Sequence, residues 1–114
     1  MMITREVLLK KTCRHQTEAV GETELAEALA ALPDWAVEHG KLVRTFGFKD
    51  YQQTIAFVNV VATIANREDH HPTMVVSYNR CIVRMNTHSV NNGLSENDLI
   101  CAAKFDDAFQ QTFG

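Results

Sequence analysis

Three histidines are the residues of this chain best suited to acid–base chemistry. His70 and His71 are adjacent, and His88 follows seventeen residues after His71. Imidazole titrates near neutral pH, so two or three imidazoles at one site can supply both a proton donor and a proton acceptor. Their mutual repulsion when charged favours one of them remaining neutral, which divides the two roles between them. The set predicts proton-transfer catalysis.

The expected distance between two of these histidines depends on a hairpin. A two-residue turn at Asn79-Arg80 would pair Tyr78 with Cys81 and place His71 opposite His88, with Cβ atoms about 5 Å apart. This register puts both histidines on the more polar face of the sheet, away from the main helix layer. A slip of one residue would move His88 to the opposite face, so the prediction depends on the register.

Simpler explanations exist for each of these residues. A single histidine at the start of a strand is more often structural or on the surface. Ser95 and Asp98 have the spacing of a helix capping pair, which explains Asp98 without a functional role. A three-histidine metal site is conceivable, but the helical ligand spacings HxxxH and HExxH do not occur in the sequence. We therefore predict neither a metal nor a cofactor.

The elements that position these residues follow from hydrophobic periodicity and turn signals. In order, they are a helix over 23–32 capped by Thr23, strands over 35–38 and 42–48, a helix over 50–67, a hairpin over 73–89 and a helix starting at Ser95. Residues 1–21 lack clean periodicity and are predicted to be an irregular arm of a single domain spanning 1–114. The order of elements predicts an α+β fold with two layers.

Composition limits the classes of protein to which the chain can belong. Its 114 residues are 46% hydrophobic and 22% charged, which suits one globular domain, and its net charge of −3 argues against nucleic-acid binding. Three widely spaced cysteines (Cys13, Cys81 and Cys101) predict free thiols in a reducing compartment. No apolar run reaches the length of a signal peptide or a membrane span. We expect a cytoplasmic protein that does not bind membranes.

Three short motifs in the second half of the chain carry a resemblance. They are Asp69-His70-His71-Pro72, Thr87-His88 and Gly93-Leu94-Ser95-Glu96-Asn97-Asp98. Together they resemble the pterin-4a-carbinolamine dehydratase family, and the likeness extends from about Leu25 through the last helix. The HHP block alone is moderately specific, whereas its combination with His88 and the start of the last helix is a strong signal.

The resemblance implies an enzyme that dehydrates 4a-hydroxytetrahydrobiopterin to quinonoid dihydropterin, in the recycling of the cofactor of aromatic amino acid hydroxylases. By position, His70 and His88 resemble acid–base histidines, and His71 resembles a catalytic-site histidine that helps to hold the pterin. Asp69 and Asp98 are expected at the substrate with His71. The resemblance also implies a four-stranded antiparallel sheet with three helices, assembled into homodimers or homotetramers, and a hydroxylase as a pathway partner.

The main alternative is a binding or assembly protein with the same fold. Some members of the family act as partners of transcription factors or assist the assembly of other enzymes. Retention of all three histidines favours catalysis here, whereas the fold alone does not decide between these functions. One departure from the family pattern is Asn66, which stands where many members have an acidic residue four places before the first histidine.

Overall fold

The computed structural model describes residues 3–114, which form one antiparallel four-stranded sheet and four α-helices. The elements, in chain order, are α1 (Arg5–Leu9), α2 (Glu22–Ala31), β1 (Ala36–Glu38), β2 (Lys41–Gly47), α3 (Tyr51–Glu68), β3 (Thr73–Ser77), β4 (Arg80–Met85), a 3-10 helix (His88–Val90) and α4 (Glu96–Thr112). The strands lie in the order β1-β2-β4-β3. The predicted α+β fold is confirmed. Within residues 3–114, no helix is long and apolar enough to cross a membrane.

Local capping signals determine where the two long helices begin. Asp50 precedes α3 and accepts a hydrogen bond from the backbone N–H of Gln53 at 2.9 Å, while Ser95 precedes α4 as part of a capping box with Asp98. Asp69 ends α3 in the left-handed conformation, with φ at 51°, and so redirects the chain. Because these signals are local, the predicted starts of both helices agree with the structure.

The N-terminal arm was predicted to be irregular, but it contains the short helix α1. The prediction is therefore wrong for the residues of α1. Thr4 caps this helix by accepting a hydrogen bond from the backbone N–H of Val7, and Leu8 is buried in the core. A helix of five residues is too short to show hydrophobic periodicity in a sequence. The predicted arm also includes residues 1 and 2, which lie outside the described residues. In the next helix, α2, Gly21 and not Thr23 occupies the N-cap position, and no side chain makes a capping hydrogen bond.

The predicted register of the second hairpin is wrong by two residues. Its turn is Tyr78-Asn79, because Ser77 pairs with Arg80 in the β3–β4 ladder. Neither turn residue has the positive φ on which the predicted turn depended. Instead, two contacts from outside the hairpin hold the turn. The backbone N–H of Phe48 donates to the backbone carbonyl of Asn79, and the side-chain hydroxyl of Thr54 donates to the backbone carbonyl of Tyr78.

The corrected register removes the predicted opposition of His71 and His88. His71 precedes the start of β3, and His88 lies in the 3-10 helix that follows β4. A shift of two residues nevertheless keeps each side chain on its face of the sheet. Cys81, Val83 and Met85 therefore remain on the buried face, as predicted.

A buried polar cluster of Trp35, Arg44 and Asp106 joins β2 to α4. Asp106 on α4 accepts hydrogen bonds from the indole N–H of Trp35 at 2.8 Å and from the guanidinium of Arg44 at 2.6 Å. The same guanidinium lies 4.2 Å from the centroid of the Phe46 ring. Burial raises the pKa of the Asp106 carboxyl, and the bonds from Trp35 and Arg44 only partly offset this rise. The cluster explains how Arg44 shares a strand face with apolar residues.

Replacing Asp106 by alanine is expected to lower the free energy of unfolding by about 3 kcal/mol, because Trp35 and Arg44 would lose their buried acceptor. Urea unfolding followed by circular dichroism measures this change. Asp107→Ala, next to it on α4 but bonded only to Gln111 among the residues described, serves as the matched control and should change stability by less than about 0.5 kcal/mol. Equal effects of the two substitutions would contradict a structural role for the cluster.

Candidate active site

A cavity of about 340 Å³ opens where the end of α3, the 3-10 helix and the start of α4 meet the N-terminal arm. Its lining includes three histidines, His15, His70 and His88, together with Asp69. Imidazoles and a carboxylate around one small cavity can exchange protons with a bound molecule. The cavity is therefore the candidate active site.

His70 is held in a fixed orientation at one wall of this cavity. Its backbone N–H donates to the carbonyl of Ala65 at 3.1 Å, which continues the hydrogen bonding at the end of α3. Its ring Nε2 lies 2.6 Å from Oδ1 of Asp98, and both side chains are largely buried. Because an ionised carboxylate can only accept a hydrogen bond, we assign a ring proton to Nε2. Nδ1 is then the ring nitrogen left for a substrate.

Asp98 connects the site to the capping of α4. Its Oδ2 accepts from the hydroxyl of Thr87 at 2.8 Å and from the backbone N–H of Ser95 at 2.9 Å, while Oδ1 faces His70. The side chain is fully buried. Asp98 therefore caps the helix and contacts the ring of His70 at the same time.

His88 is the first residue of the 3-10 helix, in the chain reversal that follows β4. Its side chain is exposed, and Nδ1 lies 3.1 Å from Oδ1 of Asn92. Asn91 and Asn92 both adopt positive φ of 60°, a conformation that asparagine tolerates, and they turn the chain back toward α4. Nε2 of His88 has no hydrogen-bond partner among the described residues, so it remains for a ligand.

The predicted site residues do not all reach the cavity. His70, His88 and Asp69 line it, and Asp98 lies behind His70. His71 does not belong to the lining. Its ring is exposed, and its Nε2 lies 3.0 Å from Oδ1 of Asn66 on α3. The structure thus brings together two of the three predicted histidines and leaves the third outside.

The N-terminal arm supplies lining residues that the sequence did not indicate. Residues 13–16 line the cavity, including His15 and the largely buried Gln16. Asn97 on α4 holds this segment, because its Oδ1 accepts from the backbone N–H of Arg14 and from the side chain of Gln16, and its Nδ2 donates to the carbonyl of Arg14. These partners lie more than eighty residues apart, so no local pattern could have predicted the contact.

Comparison with known proteins identifies the family. A sequence model described as "Pterin 4 alpha carbinolamine dehydratase" matches residues 18–108, which is most of the chain. The chain belongs to the pterin-4a-carbinolamine dehydratase family. The resemblance predicted from the sequence is therefore confirmed.

Proteins similar to this chain align with it over most of their length. A protein of Bdellovibrio bacteriovorus named "Putative pterin-4-alpha-carbinolamine dehydratase" is 46% identical over 108 residues, which cover 92% of this chain and 90% of the relative. A protein of the same name from Stenotrophomonas maltophilia is 58% identical over 87 residues, 75% of this chain and 74% of the relative. The crystal structure of a "transcriptional coactivator/pterin dehydratase" from Brucella melitensis has a TM-score of 0.74 at 36% identity, covering 79% of this chain and 97% of that one.

The arm residues of the cavity lie outside the part of the chain that matches the family model. The match begins at residue 18, whereas the lining segment is residues 13–16. In this member of the dehydratase family, one wall of the cavity is therefore formed by a segment beyond the matched residues. Among the described residues 3–114, no group of three or more histidine, cysteine, aspartate or glutamate side chains is placed to hold a metal ion. The absence of a metal from the reaction remains a prediction.

Glu68 anchors the arm to α3. Its Oε1 accepts from the backbone N–H of Cys13 at 2.9 Å, and its Oε2 accepts from Nζ of Lys104 at 2.7 Å. Burial acts to raise the pKa of Glu68, but the hydrogen bond from Cys13 and the charge and hydrogen bond of Lys104 together lower it below its usual value. Glu68 therefore stabilises the fold in its ionised form.

Glu68→Gln is expected to lower the free energy of unfolding by ~1–2 kcal/mol at pH 7, because the amide loses the charge that Lys104 pairs with. The pKa of Glu68 is lower in the folded protein than in the unfolded chain, where it is near 4.5. The stability that Glu68 contributes is therefore fully present above pH 4.5, and it is lost as the pH falls through the folded-state pKa. Urea unfolding of both proteins between pH 3 and 7 should show the difference shrinking toward zero at the acid end. A difference independent of pH would contradict this account.

Proposed function

We propose that this protein dehydrates 4a-hydroxytetrahydrobiopterin, a pterin-4a-carbinolamine, to quinonoid dihydropterin and water, in the recycling of tetrahydrobiopterin. Membership of the dehydratase family supports a pterin substrate. The observation that carries the proposal is the convergence of His70 and His88 on one cavity, with His70 held by a buried carboxylate.

The reaction requires one proton to be given and one to be taken. In a carbinolamine, the hydroxyl and the ring nitrogen are bonded to the same carbon. The C–O bond breaks as the hydroxyl accepts a proton and leaves as water, while the ring N–H gives its proton to a base and its electron pair forms the C=N bond. Nothing is oxidised or reduced. Two imidazoles, one charged and one neutral, supply both services, and the pair keeps its total number of protons.

We assign the acid–base roles to His70 and His88, since both line the cavity. We assign His71 and Asp69 to holding the pterin; Asp69 lines the cavity, whereas His71 lies outside the lining and contacts Asn66. Asp98 is better described as a positioning residue than as a substrate contact, because both of its oxygens are engaged by protein donors and its side chain is fully buried.

The decisive experiment measures dehydration of authentic carbinolamine, generated in situ, with and without the purified protein. Dehydration also proceeds uncatalysed, so the control without protein defines the background rate. We expect a rate that increases in proportion to protein concentration and saturates with substrate. A rate equal to the background at every protein concentration would reject the proposal.

The alternative function as a binding partner is favoured by one observation. The Brucella melitensis protein with a similar structure is described as a "transcriptional coactivator/pterin dehydratase", which joins the two functions in one relative. Under this alternative, the cavity histidines would be dispensable. Dehydration that never exceeds the uncatalysed rate would favour the binding role, whereas dehydration that persists unchanged after loss of both His70 and His88 would reject their acid–base roles.

We also propose that the protein is a homodimer or homotetramer that docks through β3. This edge strand and its turn expose three large apolar side chains: Val75, Val76 and Tyr78. An exposed apolar edge strand is a ready site for pairing with another chain. Val76→Lys should shift the sedimentation coefficient toward that of a monomer, whereas Val37→Lys on the other edge strand, β1, should not. Unchanged assembly in Val76→Lys would place the interface elsewhere.

The remaining assignments concern the cellular setting. We propose a cytoplasmic location, which the three free cysteines Cys13, Cys81 and Cys101 support because disulfides are rare in that compartment. We propose an aromatic amino acid hydroxylase as the source of the carbinolamine, because hydroxylation with a tetrahydropterin cofactor leaves that product.

A further inference from the structure

Two thiols from distant parts of the chain meet beside the cavity. Sγ of Cys13, on the N-terminal arm, lies 3.6 Å from Sγ of Cys101, on α4. Cys13 is half-buried and belongs to the cavity lining, while Cys101 is fully buried behind it. Neither cysteine has a role in the proposed dehydration.

We propose that Cys13 and Cys101 form a reversible disulfide on exposure to a peroxide, which ties the N-terminal arm to α4 and fixes one wall of the cavity. The inference is independent of the proposed dehydratase function, because it rests on the position of the two thiols. The oxidant would be a small hydroperoxide that reaches Cys13 through the cavity.

The geometry requires only a small movement. A disulfide joins two sulfurs at about 2.05 Å, so the thiols must approach by roughly 1.5 Å. Cys13 lies in a segment without regular secondary structure, held by the hydrogen bond to Glu68 and by the contacts of its neighbours with Asn97. Such a segment can adjust more readily than α4, whose position the core determines.

The chemistry assigns different roles to the two cysteines. The hydrogen bond to Cys13 and burial strongly raise the pKa of the Cys101 thiol, so Cys101 stays protonated while Cys13 faces the cavity. Cys13 loses its thiol proton and the resulting thiolate attacks one peroxide oxygen. The O–O bond breaks to give a sulfenic acid, and the hydroxide that leaves takes up the proton lost by Cys13 and becomes water. The Cys101 sulfur then displaces the hydroxyl of that sulfenic acid, which leaves as water with the proton of Cys101. Two thiols and one hydrogen peroxide thus give one disulfide and two waters.

The disulfide would add a covalent link to an attachment that hydrogen bonds maintain in the reduced protein. The neighbouring residues Arg14 and Gln16 are bound by Asn97, and the hydroxyl of Ser89 donates to the carbonyl of Gln16 at 2.6 Å. Cleavage by trypsin after Arg14 requires this segment to detach from the protein. We therefore expect cleavage at Arg14 to become at least ~10-fold slower after oxidation.

Cys81 provides an internal control. It is fully buried on β4, and burial raises the pKa of its thiol to about 11. Among the described residues, it has no thiol partner within hydrogen-bonding distance, unlike Cys13 and Cys101. Cys81 should remain free under the oxidising conditions that link the other two, and Cys81→Ala should not prevent the linkage.

The experiment treats the full-length protein with a small excess of hydrogen peroxide, blocks the remaining thiols and maps the peptides without reduction. We expect a Cys13–Cys101 linkage, its loss on treatment with dithiothreitol, and its absence from Cys13→Ser and from Cys101→Ala. The Cys13→Ser variant keeps the buried cysteine and should fold even if Cys101→Ala does not. Trypsin cleavage at Arg14 should slow only in proteins that can form the bond.

Two outcomes would overturn the inference. One is a Cys13 that is oxidised to sulfinic acid or bonded to another molecule while Cys101 remains a thiol. The other is a linkage that forms without slowing cleavage at Arg14, which would remove the attachment role. Neither outcome bears on dehydration, which is measured separately with reduced protein.

Discussion

His70→Ala is expected to lower kcat for carbinolamine dehydration by ~10²–10⁴-fold, and His88→Ala by a similar factor. Both imidazoles line the cavity, so each substitution removes either the proton donor or the proton acceptor of the reaction. The double variant should be little slower than the worse single one, because the two groups act on one step. The assay follows dehydration of authentic carbinolamine, with the uncatalysed rate subtracted.

Two further histidine variants sharpen this result. His71→Ala should raise KM more than it lowers kcat, because His71 lies outside the lining and is assigned to holding the pterin. His39→Asn serves as the matched control, since His39 is an exposed turn residue whose positive φ of 52° asparagine tolerates. Equal rates for the wild type and the double variant of His70 and His88 would overturn the catalytic assignment.

Asp98→Asn is expected to lower kcat by about 10²-fold or more with little change in KM, through the tautomer of His70. Thr87 and the N–H of Ser95 both donate to Oδ2 of Asp98, so the amide oxygen of asparagine must take that place. Its NH₂ group then faces Nε2 of His70, which becomes an acceptor, and the proton moves to Nδ1. The ring nitrogen that faces the substrate would then have the wrong protonation.

Nitrogen chemical shifts of the His70 ring measure this reversal directly. At a pH at which the His70 ring is neutral, the wild type should show the proton on Nε2, and Asp98→Asn should show it on Nδ1. A purely structural role for Asp98 would lower stability without moving the proton, so the spectrum separates the two roles. Asp107→Asn, on the same helix and outside the cavity lining, is the control. Full activity in Asp98→Asn, or an unchanged tautomer, would contradict the positioning role.

Several elements were predictable because their signals are short-range. Asp50 and Ser95 bond to backbone groups two or three residues along the chain, so the starts of α3 and α4 are encoded locally. The alternation of Cys81, Val83 and Met85 identified the buried face of β4 even though the register was wrong, because a shift of two residues preserves the face. The α+β order of elements followed from the same local patterns.

The parts that could not be predicted depend on contacts between distant residues. The hairpin turn is held by Phe48, in the connection between β2 and α3, and by Thr54 on α3, while the arm is held by Asn97. Asp98 illustrates the difference within one side chain. Its bond to the N–H of Ser95 is readable from spacing, whereas its bond to His70 exists only once α3 and α4 have packed.

The sequence by itself determined which side chains can carry protons, the longer helices and the strands, and the family to which the chain belongs. Hydrogen bonds within a turn of helix and the periodicity of apolar residues are properties of neighbouring residues, so they are present before any packing. Only the tertiary structure decided that His70 and His88 share a cavity while His71 faces Asn66, and that residues 13–16 form one wall. These relations depend on how separate elements pack against one another, which no local pattern specifies.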